Sequence, residues 1–277
     1  MKSIVLKGIE GIELELLNYP ESPEKIHEMI FDMTMETFLP GQKGYVEKTP
    51  ENIERVVRDV MEGKTLRNAL EAIKFTFRFK NVSRTMTHQW VRTRIGAGYT
   101  QLSERANDVS EIPVRIPWVV AQDDELSEKW EEKIAEIREL YKESLDRGVH
   151  PQDARFILPQ GMVSNITTTM TLNTIENVLH LRGCSNMQWE IHCCAIMLAD
   201  WLSEWDSLLG DYIQPLCEKL GKCTWKNYDF PPCDKQPLPD DYEIPEGGYL
   251  RGLSANGSLE FDDFDVNDGV VGKYEHL

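Results

Sequence analysis

The sequence predicts an α/β (α+β) protein, with strands and helices in one chain and an acidic, irregular C-terminal tail. Three observations carry this. The run IKFTFRF, residues 73–79, alternates Ile73, Phe75, Phe77 and Phe79 with Lys74, Thr76 and Arg78, the period of a half-buried strand. From Leu126 to about Arg147, apolar residues recur at helical spacing among charges. Beyond Cys217 the composition shifts to proline, glycine and acid.

In chain order, residues 1–20 read as a short strand pair, IELELL alternating around a glycine turn. Ser22, Pro23 and Glu24 form a helix start: a capping hydroxyl, a proline in the first turn and an acid at the positive dipole end. Thr49, Pro50 and Glu51 repeat the signal, opening a helix through about Met61. After the strand at 73–79, Ser83 can cap a helix carrying His88, Gln89, Trp90 and Arg92, which the loop with Gly96 and Gly98 ends. Arg92 and Arg94 diverge on an ideal helix, so the backbone must leave helical geometry near them if both serve one ligand. In the charged helix, Trp130, Ile134, Ile137, Leu140, Tyr141 and Leu145 form the expected buried stripe. DARFILP reads as a brief helical stretch closed by Pro159, and a long helix is expected from about Asn186 to Leu209. Residues 1–217 are expected to form the folded domain and 218–277 an acidic Pro/Gly-rich extension, with at most a few short strands beyond 234.

At 277 residues, 41% hydrophobic and 28% charged, the chain is an ordinary globular protein able to bury a sizeable core. A formal net charge of −17 argues against general nucleic-acid binding, because phosphate backbones attract basic surfaces. It leaves room for a small anion held by clustered arginines. From Asp234 onward eleven acids face three bases, so nearly half the excess lies in the tail. No stretch is apolar enough to span a membrane, and MKSIVLKGIE lacks the pattern of a signal peptide, so a cytoplasmic location is expected. The six cysteines, Cys184, Cys193, Cys194, Cys217, Cys223 and Cys233, contain no CxxC pair. They are expected as reduced thiols, the spacing of Cys217, Cys223 and Cys233 does not suit zinc, and the histidines form no ligand cluster, so no metal is expected.

The stretch QWVRTRIGAGYTQLSER, residues 89–105, concentrates arginine, glutamine, serine and glycine between apolar segments. Arginine offers a planar fork of donors suited to phosphate or a pyrimidine carbonyl, and glycine lets backbone approach a ligand. Arg92, Arg94, Arg105, Arg155 and Arg182 each stand beside apolar or glycine-rich sequence, where a charge needs a partner or a ligand. Ser103 lacks the GxSxG elbow of a hydrolase. Cys184 follows Arg182, which favours a thiolate, but an inert small side chain is the simpler reading. Cys193, Cys194 and His192 are expected to pack.

Taken together, these residues resemble the flavin-dependent thymidylate synthases (the ThyX family). QWVRTRIGAGYTQLSER is similar to the family's RHR, spacer, S and R signature, ARFILP to its ARxxLP, and NVLHLRGCSNMQWEI to its NFLxLRxxxxAQWEI block. The three blocks and the strand before them span roughly residues 70 to 205. The resemblance implies a mixed sheet packed with helices, a catalytic domain over 1–217 and a homotetramer with shared active sites. It also implies dUMP as substrate, FAD as cofactor, and NADPH and methylenetetrahydrofolate as co-substrates. Carried over by position, Gln89, Gln101, Ser103, Arg105, Arg155 and Arg182 would hold the nucleotide. Arg182 would favour negative charge on the pyrimidine as C5 becomes nucleophilic, with Ser103 near the ring. Arg92, Thr93, Arg94, Asn173 and Asn177 would face the flavin.

The departures from the family pattern are specific. Thr93 stands for the middle histidine of RHR, and the spacer to Ser103 is one residue longer. Gln101 replaces a glutamate and Glu104 a small residue. Thr171 and Asn173 occupy places of a flavin-side asparagine and arginine, while Asn177 is kept, and Leu66 lies near an expected histidine. They leave two further readings: a related enzyme acting on another pyrimidine or forming another C5 product, and a nucleotide-binding protein without catalysis.

Overall fold

The computed structural model describes residues 5–105, 107–221 and 270–273. The chain runs β1 (Val5–Lys7), β2 (Glu13–Asn18), α1 (Pro23–Met35), α2 (Pro50–Met61), α3 (Ala69–Ala72), β3 (Lys74–Ser83), α4 (Arg84–Trp90) and β4 (Ala97–Gln101). It continues through β5 (Val114–Ile116), α5 (Trp118–Ala121), α6 (Asp124–Asp146), α7 (Pro151–Ala154) and a 3-10 turn (Arg155–Ile157). Then come β6 (Val163–Thr171), α8 (Leu172–Arg182), α9 (Trp189–Trp205), α10 (Ser207–Gly210), α11 (Leu216–Leu220) and β7 (Val270–Lys273).

Five strands form one sheet in the order β4-β6-β3-β2-β7, with antiparallel pairings throughout. The expected strand over 73–79 is real and longer, and its apolar face is sealed: Phe75, Phe77 and Phe79 are buried with Trp90, Trp201 and Ile166. The caps foreseen at Ser22, Thr49 and Ser83 each accept a backbone N–H of the first turn. The α/β class thus follows from local patterning, and helices cover the sheet.

Several expectations are corrected. The first two strands do not pair with each other: β1 runs parallel to β5 in a separate two-stranded sheet, while β2 joins β3. Gly8, at φ 56° and packed against Trp118, and Gly11, at φ 66°, turn the chain between the two sheets. The stripe of α6 is narrower than expected. Ile134 and Tyr141 are buried, but Trp130 and Leu140 are exposed, because the helix lies against small satellite clusters beside the sheet rather than on its face. Arg138, on the inner face, donates to the carbonyls of Ser110 and Ile112. The long helix from 186 starts later, at Trp189, and breaks at Asp206. That side chain caps Leu208 and Leu209 and meets His27 Nε2 at 2.9 Å, which stops α9 and starts α10.

Helix α11 crosses the expected boundary at 217/218, and Lys219 on it bonds Glu176 of α8 at 3.2 Å. Apart from β7, which pairs with β2, the expected irregular tail lies outside the described residues, as do Cys223 and Cys233. No described helix is long and apolar enough to cross a membrane.

Candidate active site

Two central strands run directly into the helices that carry the candidate residues. β3 enters α4 through Ser83, and β6 enters α8 through Thr171. The register Lys74↔Thr171 and Ser83↔Val163 puts the two helix starts at opposite ends of this strand pair. Their last turns meet: Arg182 Nη2 donates to the carbonyl of Gln89 at 3.4 Å, and Nη1 lies 3.7 Å from Met187 Sδ.

The short helix α4 is the element to which the rest of the site is fastened. At its start, buried Glu190 accepts the Ser83 N–H at 2.7 Å and the Ser83 hydroxyl, while Ser83 Oγ accepts the Met86 N–H at 3.1 Å. Burial holds the Glu190 carboxyl above its usual range, against the opposing pull of Arg115 and Ser83. The Arg115 guanidinium, 3.4 Å from Glu190, donates to the carbonyls of Gly8, Glu10 and Asn81. At the first helical position Arg84 Nε pairs with Glu104 at 2.8 Å, and Arg84 Nη1 donates to the carbonyl of Leu102 at 3.3 Å. This ties the loop bearing Ser103 and Arg105 to the helix. Thr85 N–H donates to the carbonyl of Gln160 at 3.1 Å, fastening the segment after ARFILP. In the middle, Thr87 Oγ1 accepts from Gln101 Nε2 at 2.8 Å. At the C-terminal end, Tyr99 hydroxyl donates to the carbonyl of Thr93 at 2.5 Å. Burial pushes that phenol up to about 12, so it stays a donor.

Helix α4 ends at Trp90, so Arg92 and Arg94 lie in the following turn, off helical geometry as their spacing required. Beyond them is a cleft of about 410 Å³ lined by Ile95 to Gly98, Thr171, Asn173 and Thr174, with Glu71 and Lys74 at its edge. Gly96 adopts φ 66° and sits against the hydroxyls of Thr171 and Thr174. Thr171 N–H bonds the Gly96 carbonyl at 3.0 Å, and Thr174 Oγ1 donates to the Ile95 carbonyl at 2.9 Å. Thr171 thus straps the loop through its backbone N–H, and Thr174 through its hydroxyl. Asn177, one turn after Asn173 on α8, is exposed.

The arginines fall into groups: Arg138 donates to backbone carbonyls and Arg55 is exposed on α2. Arg58, Arg67, Arg78, Arg84, Arg115 and Arg147 each pair with a glutamate. Among the described residues Arg92, Arg94, Arg105, Arg155 and Arg182 have no carboxylate within ion-pairing distance. Half-burial lowers the pKa of Arg182, yet guanidinium stays charged. That leaves their positive charge without a carboxylate partner among the described residues. Arg155 stands apart, with Nε donating to the carbonyl of Gln152 at 3.2 Å beside an exposed Phe156.

Gln89, Gln101, Ser103, Arg105 and Arg182 are therefore gathered on or against α4, and Asn173 lines the cleft beyond it. Sequence reading passed over Arg84, Thr87, Ser164, Thr174 and Glu190, which hold those residues. Only Glu190 left a local signal, a charge in the apolar run MQWEIHCC. The thiols of Cys193 and Cys194 are buried, and burial pushes Cys193 up to about 12, so both are inert. His192 is largely buried and its pKa is lowered. Among the described residues no group of His, Cys, Asp or Glu could hold a metal ion.

Residues 15–206 match the family model described as "Thymidylate synthase complementing protein". A flavin-dependent thymidylate synthase of Pyrococcus abyssi is 41% identical over 175 residues, covering 60% of this chain and 71% of that protein. The Pyrococcus furiosus protein of the same name is 37% identical over 205 residues, covering 69% and 84%. That of Thermococcus onnurineus is 32% identical over 236 residues, covering 82% and 95%. Among solved structures, a UMP/dUMP methylase, PolB from Streptomyces cacaoi bound with 5-Br dUMP, shares the fold at a TM-score of 0.61 and 14% identity, covering 74% of this chain and 95% of that one.

Proposed function

Since the chain belongs to the thymidylate synthase complementing protein family, we propose that it is a flavin-dependent thymidylate synthase, transferring a one-carbon unit from methylenetetrahydrofolate to C5 of dUMP with FAD as cofactor and NADPH as reductant. The observation that carries the reading is that Arg92, Arg94, Arg105, Arg155 and Arg182, on the blocks that resemble the family signature, have no carboxylate partner among the described residues in a chain of net charge −17. An arginine without a carboxylate partner keeps its planar fork of donors available to a ligand that supplies the counter-charge.

In this reading Arg105 and Arg155 take the phosphate of dUMP, and Gln89, Gln101 and Ser103 take the pyrimidine. Arg182 faces a pyrimidine carbonyl. As C5 becomes nucleophilic, negative charge spreads onto the ring oxygens, and a fixed, half-buried guanidinium stabilises it without reorganising. No protein nucleophile is required, which suits an exposed Ser103 and buried, inert thiols. The cleft fits part of a dinucleotide cofactor: its volume of about 410 Å³ lies in the range of ligand sites, and its glycine backbone at Gly96 and Gly98 permits close approach. Arg92, Thr93, Arg94, Asn173 and Asn177 would hold the flavin there. Bound flavin supplies the redox chemistry and the route of the one-carbon unit.

The catalytic unit in this proposal is residues 1–217, and the assembly a cytoplasmic homotetramer. Exposed Ile95 and Phe156, next to the unpaired Arg94 and Arg155, support a second copy covering these faces. The test is direct. Purified protein should show flavin absorbance, natively or after reconstitution with FAD, and should form thymidylate from dUMP with NADPH and methylenetetrahydrofolate. A protein that neither binds FAD nor turns over dUMP would end the reading.

A further inference from the structure

We infer that Thr87 and Ser164 are specificity-positioning residues: they fix the Gln101 side-chain amide so that it offers an acceptor, selecting a pyrimidine whose ring N3 bears a proton, uracil, over one whose N3 is a lone pair, cytosine. The inference rests on the proposed pyrimidine nucleotide site and deepens it.

A glutamine side chain has one end that donates and one that accepts, and sequence alone does not say which end faces a ligand. Here the surroundings choose. Gln101 Nε2 donates to Thr87 Oγ1 at 2.8 Å and to Ser164 Oγ at 3.2 Å, which uses both of its N–H groups. The hydroxyls are already committed as donors elsewhere. Thr87 Oγ1 donates to the Arg84 carbonyl at 3.2 Å, and Ser164 Oγ lies 3.5 Å from the Asn165 carbonyl. Each therefore meets Gln101 with a lone pair. Reversing the amide would turn both hydroxyl protons away from those carbonyls, in a place where Thr87 and Ser164 are buried. Gln101 itself is half-buried, on the edge strand β4 two residues before Ser103. With Nε2 held inward, Oε1 takes the remaining, open side.

A neutral acceptor opposite ring N3 accepts the N3–H of uracil. Opposite cytosine it meets the N3 lone pair, and that edge is left unsatisfied. A site that holds a fixed polar group discriminates through the hydrogen bond the wrong ligand cannot make.

The experiment is calorimetric titration of the full-length protein with dUMP and dCMP, in the wild type and in T87V, S164A, the T87V/S164A double variant and T87S. The wild type should prefer dUMP. The double variant frees the amide to turn over, and its dUMP to dCMP preference should fall roughly tenfold, the worth of about one hydrogen bond. T87S keeps the hydroxyl and should keep the preference. General loosening of the site would weaken both nucleotides alike and leave the ratio unmoved. Should the double variant fold poorly, S164A and T87S still give the ratio, S164A lying between wild type and loss. A preference unchanged in T87V/S164A and S164A overturns the inference while leaving the proposed reaction standing, and a wild type preferring dCMP overturns both. A wild type that binds neither nucleotide refutes the proposed function and this inference with it.

Discussion

The guanidinium of Arg182 reaches from the last turn of α8 to the backbone carbonyl of Gln89 in the last turn of α4, 3.4 Å away. Two helices that begin at opposite ends of the β3–β6 pair are joined there by the residue assigned to the pyrimidine. The edge of the guanidinium is thereby aimed, with Nη1 set against Met187 Sδ at 3.7 Å.

Arg182→Lys should keep the charge and lose the fork. A lysine donates from one point and cannot both hold the Gln89 carbonyl and meet a ring oxygen in plane. The expected result is a fall in kcat of about 10²-fold or more, in the range for losing one preorganised donor. The melting temperature should change little. Steady-state thymidylate formation beside a thermal melt checks both.

Glu104→Ala should act on substrate affinity more than on chemistry. The Glu104–Arg84 pair fastens the loop that carries Ser103 and Arg105, and neither partner is assigned to touch the ring. Freeing the loop should raise the KM for dUMP roughly tenfold, about 1.4 kcal/mol, with a smaller change in kcat. A KM unchanged at wild-type kcat would show that the loop is held by other means.

Gly96→Ala should weaken the flavin site. Gly96 is left-handed at φ 66°, and a methyl group there would press on the hydroxyls of Thr171 and Thr174, the second of which straps the loop. The strain should cost about 1–3 kcal/mol. Its local effect should appear as a raised dissociation constant for FAD, read by titration of flavin fluorescence. The dUMP affinity should change less.

Asp200 supplies a pH test independent of catalysis. Burial, reinforced by Glu204 one turn on, pushes its carboxyl up from 3.8 to about 6. The folded state therefore holds this proton more tightly than the unfolded chain. Its contribution to stability is full below pH ~4 and is lost as pH rises through about 6. Asp200→Asn removes the titration. The variant should be about 1 kcal/mol more stable than wild type at pH 7, after discounting for the partly solvated site, and the gap should close towards pH 4. Urea denaturation at several pH values gives the difference.

Much of the fold was legible because its signals are local. The alternation of Phe75, Phe77 and Phe79 names a strand from adjacent residues, and Ser22, Thr49 and Ser83 mark helix starts within one turn. β6 was missed because its run of threonines lacks an apolar alternation strong enough to read, although it is a central strand. β4 was hidden in what read as a glycine loop; it is an edge strand whose form is set by pairing with β6. The stripe on α6 was read too wide because periodicity shows which side is apolar, not whether a neighbour is there to cover it.

At the site, the sequence by itself supplied the candidates, the arginines at 92, 94, 105, 155 and 182, and the motifs that relate them to a family. Only the tertiary structure decided which charges are spent and which are available. The partners that decide this are far apart in the chain, as with Ser83 and Glu190, 107 residues apart, or Gln101 and Ser164, 63 apart. A hydrophobic period is written in neighbouring residues, whereas a hydrogen bond between distant side chains exists only once the sheet has set their distance and direction. That is why the identity of Gln101 could be read from the chain, and the direction in which its amide points could not.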